Sequence, residues 1–373
     1  MDHNKRMGIG LIVNTAGAIL AYLIGAGFAS GQEVMQFFTN WGTVGGLIEI
    51  AVIFGVGLSI TYVCVGYVGR TREAGDVNTL YQIIGGKYLG KLLSFFVWGY
   101  NLGCYFFMIS GFGNTLQQQF GLPLPVGMGI AAVISAGTAL LGLRKMVDII
   151  GKIGPVVVLF ALILGVISAF QTYPHINEGV ELIQSGAVQV TRAGHSVLLS
   201  GFSYIGTCVL LPMAYVAHLG HDLKEYRYRD TNVVLLIGTL AYLAGCVVLA
   251  FNYLGDIANC ASAAIPNLVL ASRFVAGMGV VFSIVILLSI YSTMCPILWT
   301  CASMLWKDEK SLPYRGFIIG CAVVVYFITL FIPYETLINY IMTYFGYAGF
   351  FSAVVITVRC LMLRSQDKRA KRV

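Results

Sequence analysis

Long apolar segments alternate with short polar connections along the whole chain. Each segment is near the 17 to 25 or so apolar residues that a helix needs to cross a bilayer. The 373 residues are 58% hydrophobic and only 10% charged, with a mean hydropathy of +0.83. The pattern predicts an all-α integral membrane protein with ten transmembrane helices in a single membrane domain, residues 1–373. The predicted helices lie within residues 7–38, 43–69, 89–119, 126–143, 149–171, 188–219, 233–255, 268–306, 316–332 and 336–363.

The ten segments fall into two groups of five, residues 7–171 and residues 188–363. A polar connection, residues 172–187, joins the groups, and a basic tail, residues 364–373, follows the second. Because five is an odd number of crossings, the second group enters the membrane with a topology opposite to that of the first, which is how inverted repeats arise. The organisation predicts a 5+5 inverted repeat.

Glycines interrupt the first apolar segment of each group. The first segment carries GAGFASGQE at residues 25–33, and the sixth carries SGFSYIG at residues 200–206. A break in a membrane helix leaves backbone N–H and C=O groups that only protein, water or a bound solute can satisfy. We therefore expect unwinding at Gly25–Gly27 and at Gly201–Gly206, with a solute site between the two breaks. The predicted solute-binding residues at the breaks are Gly25, Ala26, Gly27, Phe202, Ser203, Tyr204 and Gly206.

The net charge of +7 does not indicate nucleic acid as a partner, because the basic residues fall on one side of the predicted membrane. With ten crossings, only Arg192 and Arg273 lie opposite the side that holds both termini. Positively charged residues concentrate in cytoplasmic connections. The chain is predicted to be a multi-pass protein of the cell membrane with cytoplasmic termini, in contact with lipid and a small solute.

The two glycine-containing runs resemble the amino acid, polyamine and organocation transporter superfamily, which has the LeuT-type fold. Residues 25–33 resemble more narrowly the YkvI-like bacterial membrane proteins, and FSYIG at residues 202–206 resembles the broken sixth helix of the superfamily. The resemblance covers nearly the whole chain. It implies a secondary active transporter that works by alternating access and needs no cofactor. The implied activity is ion-coupled symport of an amino acid or a related small amine or organic solute.

The resemblance also implies positions for solute and ion. In this fold third-helix side chains face the solute, which points to Asn101 and Tyr105, a turn apart on one helix face; these side chains could instead join helices. Hydroxyls of the eighth helix complete a sodium site, and oxygen ligands suit a hard cation. Those hydroxyls could also bond only their own helix. Sodium is favoured over a proton, and its implied ligands are Ala21, Ile24, Ser289, Ser292 and Thr293.

Two carboxylates, Glu33 and Glu49, lie inside predicted spans. An ionisable group in a span is costly, so by default it faces a cavity or a partner and serves a function. Either residue could titrate during transport, recognise a cationic amine, or form a static pair with Arg192 or Arg273. Glu33 and Glu49 are the predicted coupling or gating residues.

Three other classes of function fit parts of the sequence. An intramembrane hydrolase would combine Ser30 with His195 or His218, but neither a Gly-x-Ser-Gly nor a His-Glu-x-x-His pattern is present. A channel would need a repeated filter sequence, which is also missing. A solute-binding sensor with a transporter-like fold is the third. The sequence therefore favours a transporter over an enzyme, and accumulation of solute against a gradient separates a transporter from all three.

Overall fold

The chain is helical in the computed structural model, which describes residues 5–72, 74, 77–141, 154–274 and 277–370. These residues form no strand, and one isolated bridge pairs Lys5 with Tyr226. The α-helices, in chain order, are α1 (Ile9–Leu23), α2 (Ala26–Ser30), α3 (Gln32–Phe37), α4 (Val44–Arg72), α5 (Val77–Phe120), α6 (Leu124–Leu140), α7 (Gly154–Thr172), α8 (Ile176–Gln184), α9 (Val197–Leu210), α10 (Met213–Asp222), α11 (Tyr228–Gly255), α12 (Ile257–Cys260), α13 (Pro266–Phe274), α14 (Met278–Ser303), α15 (Leu312–Thr329) and α16 (Tyr334–Ala370).

Six of these helices are long and apolar enough to cross a membrane: α4, α5, α11, α14, α15 and α16. The pair Val197–Leu210 and Tyr215–Glu225, bent by 60°, counts as a seventh. The predicted multi-pass helical membrane protein is confirmed, and each of the ten predicted segments contains helix, but the number of ten crossings stays a prediction. The basic residues predicted at 144–152 lie outside the described residues.

The helices pack into two groups, and each group draws on both halves of the chain. In the first group, α1, α4, α9, α10 and α11 contact one another. In the second, α5, α6, α14 and α15 do so. Helix α2 crosses between the groups and packs against α14, while α16 packs against α4, α5 and α9. The first broken helix thus lies between two bodies of helices.

The first break is present, but it lies at Ile24 and Gly25 and not over the predicted Gly25–Gly27, because Ala26 and Gly27 already belong to α2. Helix α1 ends at Leu23, and Ile24 (φ −77°, ψ 83°) and Gly25 (φ −93°, ψ −169°) leave helical geometry before α2 begins. The Gly25 N–H donates to the Leu23 carbonyl, so the Ala21 carbonyl loses the partner that a continuous helix would give it. Gly31 (φ 90°) interrupts the helix a second time, between α2 and α3.

The second break exists, but the predicted unwinding at Gly201–Gly206 is wrong. Helix α9 runs through both glycines, and the interruption falls at Leu211 and Pro212. A proline inside a helix lacks an N–H donor, and its ring clashes with the preceding turn. The glycines serve packing instead, because a Cβ on Gly206 would overlap the Gly346 carbonyl and one on Gly201 would crowd Ile53.

Both ends of the described chain lie at one end of the helix bundle. The Lys5 carbonyl accepts a hydrogen bond from the Arg227 N–H, and Arg70 at the end of α4 donates to the Tyr226 carbonyl. Near the other terminus, Asp367 forms an ion pair of 2.6 Å with Arg72. Helix α4 therefore holds both termini on the same side, as an even number of crossings requires.

Candidate functional site

A buried cavity lies where the two helix breaks meet. The volume of the cavity that the centres of water molecules can reach is about 40 Å³. This volume has room for about three waters. Both sides of the first break contribute to its wall, as do the end of α9 and the residues of the second break, together with one face of α5 and single residues of α11 and α16. The lining residues are Leu23, Gly25, Gly27, Glu33, Tyr100, Cys104, Phe107, Met108, Thr207, Cys208, Leu211, Pro212, Tyr242 and Met342.

Glu33 on α3 is the one carboxylate among these lining residues. Its side chain is 6% exposed. The hydroxyls of Tyr204 on α9 and Tyr242 on α11 lie 3.0 and 2.7 Å from its Oε1, and the two hydroxyls are 2.7 Å apart. We call these three side chains the Glu33 triangle. It joins the first broken helix to the second and to α11.

Gly27 makes room for the Glu33 carboxyl. A Cβ on Gly27 would overlap Oε2 of Glu33 and lie 3.0 Å from its Cδ. Gly25 differs, because a Cβ there would meet no atom within 4 Å. The structure therefore places both predicted glycines at the cavity, one beside the carboxyl and one beside open space. Ala26 lies between them at the start of α2.

The irregular backbone around Gly31 is held from outside the first helix. Asn267 on α13 donates to the carbonyls of Phe28 and Ala29, each at 3.0 Å, and Tyr253 donates to the Asn267 side chain. These bonds satisfy carbonyls at the end of α2, where the Phe28 carbonyl also accepts from the Gly31 N–H. Gly31 tolerates no side chain, because its φ is left-handed and the Tyr253 hydroxyl occupies the space. The position of α2, and with it the cavity wall, is fixed by α11 and α13.

The two residues predicted to contact the solute from the third helix, Asn101 and Tyr105, do not line the cavity. The Asn101 amide donates to the Val97 carbonyl of its own helix, and the Tyr105 hydroxyl pairs with Ser135 on α6. Neither residue is among those that line the cavity. The face of α5 that lines the cavity is shifted by one residue from the predicted face. It consists of Tyr100, Cys104, Phe107 and Met108. Their i, i+4, i+7, i+8 spacing is the sequence signal that could have identified this face.

The predicted residues of the sixth segment divide by role. Tyr204 belongs to the Glu33 triangle. Phe202 stacks on Phe350 with ring centroids 4.2 Å apart, and the Ser203 hydroxyl bonds carbonyls of α16, so both join α9 to α16. The residues that line the cavity here come later in the chain: Thr207, Cys208, Leu211 and Pro212. Pro212 inside an apolar segment was the sequence signal for this position.

The predicted sodium ligands remain a hypothesis. Ser289 is buried, and its carbonyl accepts hydrogen bonds from the hydroxyls of Ser292 and Thr293 at 2.9 and 3.0 Å. Those hydroxyls keep lone pairs that could bind a cation. On the first broken helix, the Ala21 carbonyl lacks its helical partner at Gly25, and Ile24 lies in the break itself.

The second predicted carboxylate does not reach the site. Glu49 is exposed near the start of α4 and is not among the lining residues. The alternative of a static pair between Glu33 and an outer arginine finds no support among the described residues. Arg273 pairs with Asp256 at 3.3 Å, Arg192 lies over the ring of Trp41, and Glu33 faces two tyrosines. The structure therefore retains Glu33 as the coupling candidate and gives no support to Glu49.

The residues of the hydrolase alternative are not organised for catalysis. The buried Ser30 hydroxyl donates to the Gly27 carbonyl and accepts from Tyr334. His218 instead pairs with Asp222 at 3.3 Å on an exposed face of α10, and His195 is exposed before α9. A serine nucleophile needs a base within hydrogen-bond reach, and neither histidine is a partner of Ser30 in these bonds.

The packing role of Gly206 gives a first testable prediction. Gly206→Ala is expected to lower the free energy of unfolding by about 1 to 3 kcal/mol, because the new Cβ overlaps the Gly346 carbonyl and forces α9 and α16 apart. Thermal unfolding of the purified protein measures the change. Gly137→Ala on α6 is the matched control, since no atom lies within 4 Å of that position. Parent-like unfolding of Gly206→Ala would contradict the packing role.

The comparison of sequences confirms the resemblance to YkvI-like proteins. No family model matches the chain. The chain is 22% identical over 334 residues to YkvI of Bacillus subtilis, an uncharacterised membrane protein, and the match covers 88% of this chain and 90% of the relative. It is 29% identical over 170 residues to YyaD of the same organism, covering 44% of this chain and 47% of that protein. These relatives identify a kind of membrane protein without assigning an activity.

The fold resembles that of a solved transporter. Crystal structures of mutants of a manganese transporter from Eremococcus coleocola match this structure with TM-scores of 0.59 and 0.58. The matches cover 96–97% of this chain and 81–82% of the transporter, at 14–15% sequence identity. Nearly the whole chain therefore shares the fold of that protein, while the low identity leaves the solute undefined.

Proposed function

We propose that this protein is a secondary active transporter that carries a small organic solute, an amino acid or a related amine, through the cavity between its two helix breaks. The observation that carries the proposal is the meeting of both breaks and a buried carboxylate at one cavity. Broken helices around a central site are the arrangement by which transporters bind solutes with backbone groups.

The packing of the helices supports alternating access. Each of the two helix groups combines helices from the first and second halves of the chain, as a LeuT-type 5+5 inverted repeat would. The broken first helix lies between the groups, with α2 against α14. Rocking of one group against the other would open the cavity first to one side and then to the other. The inverted repeat and the ten crossings are part of this proposal.

The cavity chemistry favours an organic solute over a transition metal. Manganese prefers carboxylate, carbonyl and water ligands, whereas this wall has a single carboxylate. Among the described residues, no group of three or more His, Cys, Asp or Glu side chains could hold a metal ion. The remaining wall is apolar or weakly polar, and the backbone of Gly25 and Gly27 forms part of it. These surfaces suit a solute with a short apolar body and polar ends.

The size of the cavity indicates that the structure is a closed conformation. About 40 Å³ is far below the roughly 300 Å³ or more of a typical ligand pocket. An amino acid can enter only if α2 and α3 move away from α9 and α5. Movement at this place needs hinges, and the interruptions of the two helices at Ile24–Gly25 and Leu211–Pro212 are the hinge positions that we propose.

The experiment that tests the proposal is solute accumulation in vesicles reconstituted with the purified protein. Thermal unfolding with panels of amino acids, amines and nucleobases, in sodium and in potassium, first identifies a ligand, because a bound ligand stabilises the folded state. The radiolabelled ligand should then accumulate above its external concentration. Binding without accumulation would instead identify a sensor, and equilibration without accumulation a channel.

Sodium coupling is the second testable prediction. We propose that sodium binds the Ala21 and Ile24 carbonyls with the hydroxyls of Ser289, Ser292 and Thr293. Replacement of external sodium by choline should reduce accumulation, and Ser292→Ala should raise the sodium concentration needed for half-maximal uptake. Ser283→Ala is the control, because its hydroxyl also bonds its own helix on α14 but lies outside the proposed ligand set. Uptake that is unchanged in choline would show that sodium is not the coupling ion.

A further inference from the structure

We propose that the Glu33 triangle is a proton-binding site, and that the Glu33 carboxyl carries a proton in this closed conformation. The site itself follows from the geometry of three side chains. Its consequence, that a proton moves with the solute, rests on the proposed transport function and would add a second coupling ion to sodium.

The three contacts of the Glu33 triangle need one more hydrogen than the two tyrosines supply. The three oxygens, Glu33 Oε1 and the hydroxyls of Tyr204 and Tyr242, lie 2.7 to 3.0 Å from one another. Oxygens at these distances attract only when a hydrogen lies between them. Each phenol supplies one hydrogen, so an ionised carboxylate leaves one of the three contacts as two facing lone pairs.

A protonated carboxyl supplies the missing hydrogen. Glu33 then donates to the Tyr204 hydroxyl, Tyr204 donates to Tyr242, and Tyr242 donates back to Oε1. Every contact of the triangle is bridged, and each hydroxyl donates once and accepts once. The proton comes from a hydronium ion in water that reaches the carboxylate: one O–H bond of hydronium breaks, the O–H bond of the carboxyl forms, and a neutral water molecule leaves.

The surroundings of Glu33 give the second argument. A carboxylate kept ionised at a buried site of low dielectric constant needs a cation or several donors to offset the loss of hydration. The titratable groups that bond to Glu33 or that its charge influences are phenols and thiols, and no basic side chain is among them in the described part of the chain. They are Tyr100 and Cys104 on α5, Tyr204 and Cys208 on α9, Tyr242, Cys246 and Tyr253 on α11, and Tyr334 on α16.

The triangle connects proton binding to helix movement. Glu33 lies on the continuation of the first broken helix, Tyr204 on the second and Tyr242 on α11. When α3 separates from α9, the ring of hydrogen bonds opens and water reaches the carboxyl, so the proton can leave. Closure of the cavity and protonation of Glu33 therefore stabilise each other.

Infrared spectroscopy of the full chain in lipid nanodiscs tests the site without any transport. At neutral pH the parent should show the C=O stretch of a protonated carboxyl, sensitive to exchange into D₂O, which Glu33→Gln removes and Glu49→Gln retains. Tyr204→Phe removes the acceptor of the carboxyl proton and should shift the band. The proposal is overturned if Glu33→Gln leaves the band intact. Should Glu33→Gln fail to fold, an unshifted band in Tyr204→Phe overturns it instead.

Movement of a proton together with the solute is tested by a separate measurement. A protonophore should abolish most of the accumulation of the identified solute at constant sodium. Accumulation that is unaffected by the protonophore would overturn proton coupling. If no solute accumulates under any gradient, the proposed transport function fails, and the infrared band still decides whether Glu33 binds a proton.

Discussion

Glu33→Gln is expected to reduce solute accumulation by at least about tenfold, equivalent to about 1.4 kcal/mol of barrier, with normal expression. Glutamine keeps the size of the side chain but cannot bind and release a proton. Its amide also brings two donors toward the hydroxyls of Tyr204 and Tyr242, where the carboxyl has one at most. Initial rates of uptake in reconstituted vesicles, normalised to the amount of folded protein, measure the effect.

Glu49→Gln is the matched control for this prediction. It makes the same chemical change on an exposed face of α4, away from the cavity. Its uptake should equal that of the parent, as should that of Glu309→Gln beyond α14. Parent-like uptake by Glu33→Gln would show that the triangle is structural, and both proton coupling and the central role of Glu33 would then be wrong.

Gly27→Ala is expected to abolish solute binding and uptake while the protein remains folded. The new methyl group would overlap Oε2 of Glu33, so the carboxyl must turn away from Tyr204 and Tyr242. Two lost hydrogen bonds cost about 1 to 3 kcal/mol together, and the cavity beside Gly27 becomes smaller. Alanine favours helix over glycine by about 1 kcal/mol, so the backbone of α2 gives no reason for unfolding.

Thermal unfolding reports whether Gly27→Ala is folded, and stabilisation by the ligand reports whether it still binds the solute. The variant should still unfold in one cooperative transition, lowered at most modestly from that of the parent, and the shift produced by the identified solute should disappear. Gly17→Ala is the control, since it is an exposed position of α1 with no atom within 4 Å. Full uptake by Gly27→Ala would show that the close contact between Gly27 and Glu33 has no functional role.

The sequence by itself determined the class of protein and the position of the first break. Hydrophobic content over the length of a bilayer crossing is a local property of the chain, so no tertiary information is needed to find membrane helices. Gly25 was found because glycine in this context weakens a helix at its own position. Glu33 was found because a carboxylate in a span is costly in any fold.

Only the tertiary structure decided which side chains meet at the site. Tyr100 and Asn101 are neighbours on α5, and the rotation of that helix against α6, α14 and α16 places the first at the cavity and buries the second elsewhere. The partners of Glu33 lie 171 and 209 residues away in sequence. Helix periodicity gives the residues of a face but not the direction in which the face points, because packing sets that direction. For the same reason the sequence identified Glu33 as a residue of interest, and only the fold showed that two tyrosines, rather than an arginine, surround its carboxyl.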